Sequence, residues 1–236
     1  MQPSQAFLAL GIPHRVVGAL DLWKRAEAKD IMAYLRLAAN FRDALALERI
    51  INVPSRKIGQ GSVDKMKAEA ARQDCSIAEL VFRGCEEALD QWPPEHWAAI
   101  CQGRGGEASS CFSQVLEAMS GALPSLKAAE LGKISSAAAS SVLLLRNIVC
   151  ALRVTALCDP LLTRGRRGPF KLGGLVSALL DAIGYEEYIR SQFKIDKIDN
   201  PEERRKERRK MEERLEICRQ FQAETDRYFV EEDSRL

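Results

Sequence analysis

The chain is poor in the residues that most often carry chemistry. Its only two histidines, His14 and His96, stand alone. Its seven cysteines, Cys75, Cys85, Cys101, Cys111, Cys150, Cys158 and Cys218, are odd in number, widely spread and free of any C-x-x-C pair. That spacing argues against a zinc site or a disulfide framework and favours buried, reduced thiols. Aromatics make up 6% of the residues, and Trp23 and Trp92 read as core or interface residues more readily than as base-stacking platforms. Net charge is also nearly missing: 35 basic and 33 acidic residues leave +2, so any attraction to a polyanion must be local. There are no paired carboxylates and no Ser/His/Asp set to act as a catalytic group. The Gly132-Lys133 dipeptide is followed by Ile134 and has no upstream glycine at phosphate-loop spacing. No basic-then-apolar leader opens the chain, and the run Val142 to Leu145 meets Arg146 and Asn147 at once, so a soluble, intracellular protein is expected.

What is present is helical patterning on a chain of 236 residues, long enough for one large domain or for a domain plus part of another. A short strand is expected through Arg15-Val16-Val17, after the break at Gly11-Ile12-Pro13. From Arg25 to about Ala39, Ile31, Met32, Leu35 and Ala38 recur at helical spacing, with Glu27 and Asp30 in the first turns where the helix dipole favours anions. Asp43 suits the cap of a second helix to about Asn52, which Pro54 ends. Ser62 is expected to cap a helix over Val63 to Arg72, and Ser76 with Glu79 makes a capping box for another through Leu80, Val81 and Leu89. Gln91 to Ser109 reads as a long loop, and helices resume at about Ser110. Ser135 to Leu157 suits a buried helix at the centre of a bundle. Arg164 to Lys171 is a basic loop, and Leu172 to Phe193 is helical with an interruption at Gly184. Pro201 opens a long charged helix. No repeat of roughly 20 to 50 residues is evident.

Two motifs stand out. One runs from Ile12-Pro13-His14-Arg15-Val16-Val17-Gly18 through Leu22-Trp23 to Arg25-Ala-Glu27-Ala-Lys29-Asp30 and Ala33-Tyr34-Leu35-Arg36-Leu37. The other is Arg49-Ile-Ile-Asn52-Val-Pro54-Ser-Arg56-Lys57-Ile58-Gly59. In order and separation these resemble the UvrD/Rep/PcrA-like superfamily 1A DNA helicases, whose second half carries Ile-Pro-Tyr-Arg-Val-Val-Gly-Gly, Arg-x-Glu-Ile-Lys-Asp, Ala-Tyr-Leu-Arg-Leu and Arg-Ile-Ile-Asn-x-Pro-x-Arg-Gly-Ile-Gly. Tyr185-Glu-Glu-Tyr188-Ile189 is similar to a later Gly-Tyr-x-Glu-Tyr-Leu segment of the same family. Lys57 stands where the family has a glycine.

The resemblance implies a mainly α protein: a fragment of the RecA-like domain 2A over residues 1–47 as a small α/β remnant, then a helical 2B-like domain over 48–236. It implies part of an ATP-dependent 3′ to 5′ helicase contributing DNA binding and regulatory movement, with ATP and magnesium held in the complete enzyme. The glycine loop with its Lys and Ser/Thr, the magnesium-holding acids and the Thr-Leu-His-Ser-Ala-Lys-Gly-Leu-Glu run with its arginine finger do not occur in this chain, so no nucleotide or metal is expected to bind it alone. The implied partner is DNA at a duplex and single-strand junction, contacted through phosphates, and the implied location is the nucleus in a eukaryote or the cytoplasm and nucleoid otherwise. The turn Arg56, Lys57, Ile58, Gly59, Gln60, Gly61 and Ser62 would meet the duplex, because amides at a helix start with two cations suit a phosphate backbone. Arg36 and Asn40, with the motif residues Gly18, Arg25, Glu27, Lys29, Asp30 and Tyr34, would lie near the single strand and the ATP cleft. From the residues alone the same turn is an ordinary helix connection, and the tract from Glu202 to Arg214 is a solvated helix face. The alternative is a non-catalytic helical protein-interaction module or a truncated gene product, which predicts exposed apolar surface at Val16, Val17, Leu22, Ile31 and Leu35.

Overall fold

The computed structural model describes residues 22–92, 96, 108–162 and 172–233, and all regular structure among them is helical. The mainly α class therefore holds. The strand expected at Arg15 to Val17, with Gly18, lies outside the described residues, as do most of the loop from Gln91 and the basic loop at Arg164.

Helix α1 spans Ala26–Ala39, α2 Ala44–Ile50 and α3 Gln60–Arg72. Two short helices follow, α4 over Ile77–Val81 and α5 over Cys85–Asp90. Then come α6 over Ala108–Ala122, α7 over Ser136–Leu162, α8 over Leu172–Ile183 and α9 over Tyr185–Gln192. A 3-10 turn at Ile195–Lys197 leads into α10, Pro201–Asp233.

Local chemistry accounts for most of the boundaries. Asp43 Oδ1 accepts from the Ala46 amide at 2.9 Å and starts α2. Ser76 and Glu79 form a reciprocal capping box on α4, with bonds of 3.1 and 2.8 Å. Ser135 Oγ accepts from the Ala138 amide at 3.2 Å and starts α7. The single helix expected through Leu80 and Leu89 is instead two, because Gly84 takes φ 70, a left-handed value that ends one helix and redirects the next. Gly184, at φ 61, separates α8 from α9 in the same way. Ser62 is not a cap: α3 begins two residues earlier, with Gly59 at the N-cap and the Ser62 amide bonded to the Gly59 carbonyl at 2.9 Å.

Two apolar clusters hold these helices together. The larger joins Tyr34, Leu37, Leu47, Ile50, Met66, Leu80, Val115, Met119, Val142, Leu145, Val149 and Leu179, so its core crosses position 47 without a break. Phe41 stacks on Phe82 with ring centroids 4.9 Å apart, and the Arg153 guanidinium covers Phe41 at 4.5 Å. The smaller cluster sets Ala28 and Ile31 of α1 against Val176, Leu180, Tyr185, Ile189, Leu215, Cys218 and Phe221. Helix α1 thus has one face in each cluster, which explains why Ile31 is buried rather than exposed; Leu22, ahead of the helix, is also buried, and Leu35 is half-buried. Each large aliphatic side chain so buried contributes about 1.5–3 kcal/mol.

Within α7 the stretch Ser136–Ala156 is long and apolar enough, by length and composition, to cross a membrane; here it is the central helix of the larger cluster, with Val142, Leu145, Val149, Cys150 and Ala151 fully covered. Cys85, Cys150 and Cys218 are buried thiols, and burial pushes the Cys218 thiol up to about 12. Cys111 departs from the expectation of reduced cysteines, since it is disulfide-bonded.

Candidate nucleic-acid interface

The turn between α2 and α3 is built around Arg56. Its Nη1 donates to the carbonyls of Ile50, Val53 and Pro54 at 2.9, 3.0 and 3.3 Å, and its Nη2 donates to the Tyr34 hydroxyl. The Tyr34 hydroxyl in turn donates to the Val53 carbonyl at 2.7 Å. Burial pushes the Tyr34 pKa up to about 12 against the pull of the neighbouring guanidinium, so the hydroxyl keeps its proton. Asn52 completes the frame, its Oδ1 accepting from the amides of Arg56 at 2.7 Å and Ile58 at 3.3 Å. Ile58 is 1% exposed and belongs to the core. Of the seven residues expected at the duplex, Arg56 and Ile58 therefore face inward and shape the turn.

The other five are accessible. Lys57 is exposed with φ 61, so it keeps the left-handed backbone that suits the glycine the family has there. Gly59 and Gly61 have open space where a Cβ would stand, and Gln60 lies beside them with its amide on Asp64 at 2.8 Å. Ser62 is half-buried. No side chain caps α3, so the amides of Gln60 and Gly61 are open to an incoming acceptor, while the Ser62 amide is taken by the Gly59 carbonyl. This arrangement can take a phosphate oxygen: one cation, flexible backbone and free amides at the positive end of a helix.

The first motif behaves differently. Arg25 is exposed at the N-cap of α1 and lines a groove of about 670 Å³ with Leu22, Arg209, Glu212, Glu213 and Glu216. Lys29 is exposed. Glu27 is 3% exposed and bonds the Arg214 guanidinium of α10, which also reaches Gln192 and lies over the Phe193 ring. Asp30, 7% exposed, pairs with Arg49 at 2.7 Å and accepts from the Tyr185 hydroxyl at 2.6 Å. Burial holds Asp30 above the usual carboxylate range despite those partners, and burial with the Asp30 hydrogen bond drives the Tyr185 pKa upward. Arg36 is exposed and paired with Asp43 at 2.7 Å, and Asn40 ends α1 with its Oδ1 on the Arg42 amide at 3.0 Å. The structure thus brings Tyr34 to the turn and sends Glu27 and Asp30 to a separate buried network. Arg214 and Gln192 are members of that network which the sequence did not point to, since they lie far along the chain; Tyr185 was signalled by the later family-like segment, and Arg49 and Asn52 by their place in the second motif.

The chain matches the UvrD-like helicase C-terminal domain family over residues 2–226. It belongs to that family. The UvrD-like domain is 42% identical to DNA helicase II of Rickettsia typhi over 88 residues, 36% of this chain and 13% of that protein. It is 38% identical to the ATP-dependent DNA helicase PcrA of Staphylococcus epidermidis over 91 residues, 37% of this chain and 12% of that protein. The chain therefore spans a small part of the length of these relatives. No solved structure matches this chain. Its one Gly-Lys turn does not fit a nucleotide: Lys133 is itself left-handed, and a Cβ on Gly132 would lie 2.5 Å from the Lys65 carbonyl, so the turn leans on α3 instead of opening as a phosphate cradle.

Proposed function

We propose that this domain serves an ATP-dependent 3′ to 5′ DNA helicase by holding duplex DNA at the α2–α3 turn, with Lys57, Gln60, Gly61 and Ser62 meeting phosphates and with Arg56 and Asn52 fixing the shape they meet. The names of the relatives, DNA helicase II and PcrA, support the helicase setting. The observation that carries the DNA contact is the uncapped start of α3 beneath an exposed, left-handed Lys57. Binding of this kind is independent of base sequence and weakens with salt, because each phosphate contact releases counterions. ATP is assigned to no residue of this chain. Of the positions at which the protein-interaction reading expects exposed apolar surface, Leu22 and Ile31 are buried and Leu35 is half-buried, while Val16 and Val17 lie outside the described residues.

The test is fluorescence anisotropy of a labelled duplex with a single-stranded tail, at low and moderate salt. Lys57→Glu is expected to weaken binding several-fold at low salt, with far less effect at high salt. Unchanged affinity in that variant overturns the assignment of the turn.

A further inference from the structure

The N-terminal part of α10 is largely exposed, touching the body through Arg204 on the Ile198 carbonyl, through Met211 against the smaller cluster and along the groove that Arg209, Glu212 and Glu213 share with Leu22 and Arg25. From Pro201 to Glu213 every residue is exposed except the half-buried Glu207 and Met211, and burial begins in earnest at Leu215. The run from Arg204 to Lys210 holds six cations and one acid. Two of the cations are occupied: Arg204 donates to the Ile198 carbonyl at 2.9 and 2.6 Å, and Lys210 pairs with Glu207 at 2.5 Å. Arg205, Lys206, Arg208 and Arg209 form no ion pair among the described residues.

A helix that is charged only to stay solvated gains by placing opposite signs four residues apart. Here Arg204 and Arg208, Arg205 and Arg209, and Lys206 and Lys210 stack like on like, and the opposite-sign spacings Glu202–Lys206, Arg208–Glu212 and Arg209–Glu213 close no ion pair, so the cations between Arg204 and Lys210 repel one another along the helix. Glu212 and Glu213 stand one turn beyond Arg208 and Arg209, yet neither closes an ion pair with them. The base of the arm is fixed all the same, by Arg214 on Glu27 and Gln192 and by Leu215 and Cys218 in the smaller cluster. An anchored helix whose run from Arg204 to Lys210 carries six cations against one acid complements a line of negative charge. With a rise of about 1.5 Å per residue, Arg205 and Arg208 or Arg209 are roughly 4.5–6 Å apart along the axis. A duplex strand offers one phosphate for about every 3.4 Å of its axis, so the arm spans about three.

We infer that this arm is a second DNA-contacting surface, taking the phosphate backbone of duplex DNA through Arg205, Arg208 and Arg209. The inference rests on the DNA-binding reading above but on different residues from the α2–α3 turn, and nothing in it reads base sequence.

The experiment is a titration of the full 236-residue chain against labelled duplex and labelled single strand across a salt series. It compares the unaltered protein, R205Q/R208Q/R209Q and K57Q. Glutamine keeps helix propensity, and far-UV circular dichroism must show unchanged helix content. For duplex, the triple variant is expected to flatten the slope of log K against log salt by up to about 2.7, at about 0.9 per phosphate lost. An unchanged slope in the triple variant, with a flattened one in K57Q, overturns the arm and leaves the turn standing. The opposite pattern keeps the arm and overturns the turn, and no binding by the unaltered chain overturns both. A loss confined to single strand overturns the duplex assignment. As an independent check, E212Q/E213Q is expected to tighten duplex binding several-fold by removing the acids beside the arm; unchanged or weaker binding counts against the proposal.

Discussion

The charges of Glu27 and Asp30 and the charge of Arg56 lie in adjoining stretches of the sequence, yet they are neutralised in different ways. Both carboxylates point into the protein and are met by side chains of other helices, Glu27 by Arg214, which also donates to Gln192, and Asp30 by Arg49 and Tyr185. Arg56 also turns inward, but its partners are carbonyls within six residues and the hydroxyl of Tyr34. The first arrangement ties helices together, and its loss leaves a buried charge alone. The second shapes one turn, and its loss is local. A charged motif can therefore mark either a tertiary clamp or a local scaffold, and the burial of the charged group itself tells them apart.

The largest effect should come from the clamp. Arg214→Ala strands the Glu27 carboxylate and is expected to cost about 3 kcal/mol in urea unfolding. A loss under about 1 kcal/mol would remove the distinction between clamp and scaffold. Next comes Tyr34→Phe, which takes from Arg56 one acceptor and from the Val53 carbonyl one donor; about 1–2 kcal/mol is expected, measured the same way. If this variant proves costlier than Arg214→Ala, the ranking of the two networks is reversed. Lys57→Gly relieves a left-handed lysine and should raise stability by about 1 kcal/mol while weakening DNA binding, so the two readouts move in opposite directions. A destabilised Lys57→Gly would show that the lysine is held by something other than the shape of the turn.

The smallest effect concerns acid. Hydrogen bonds from Ser76 hold Glu79 below its ordinary value of 4.5, so its contribution is present above that value and is lost as pH falls through the lowered one. Asp30 acts in the opposite sense, because burial raises it and its ionisation opposes folding as pH rises through the raised value. Thermal melts between about pH 5 and pH 3 should therefore lose less stability with falling pH in Glu79→Gln than in the unaltered chain. Parallel curves would mean that the capping box does not survive in solution.

What could be read from the sequence follows the same division. The caps at Asp43 and Ser76 were legible because each is a side chain bonded to an amide three residues on. Ser62 misled for an instructive reason: a serine beside glycines has the look of a cap, but the turn framed by Asn52 and Arg56 delivers the backbone into helix at Gly59. Gly84 was passed over inside an apolar pattern, since a pattern of hydrophobic spacing does not report a left-handed φ. The family motifs located the α2–α3 turn but not the direction of its side chains. Ile58 and Arg56 point inward for reasons of packing and carbonyl satisfaction that only the folded chain displays. The pairing of Glu27 with Arg214 spans 187 positions, and no local rule connects them.

Helix α7 has a consequence for how the chain is made. Its apolar surface is covered from both directions in the sequence, by α1 and α6 before it and by Leu175, Ala178 and Leu179 of α8 after it. A nascent chain leaves the ribosome N-terminus first, so part of α7 emerges with its cover still unsynthesised. For that interval the cell handles a stretch as greasy as a membrane span. Until α8 follows, the face of α7 that Leu175, Ala178 and Leu179 cover is open to whatever apolar surface is near.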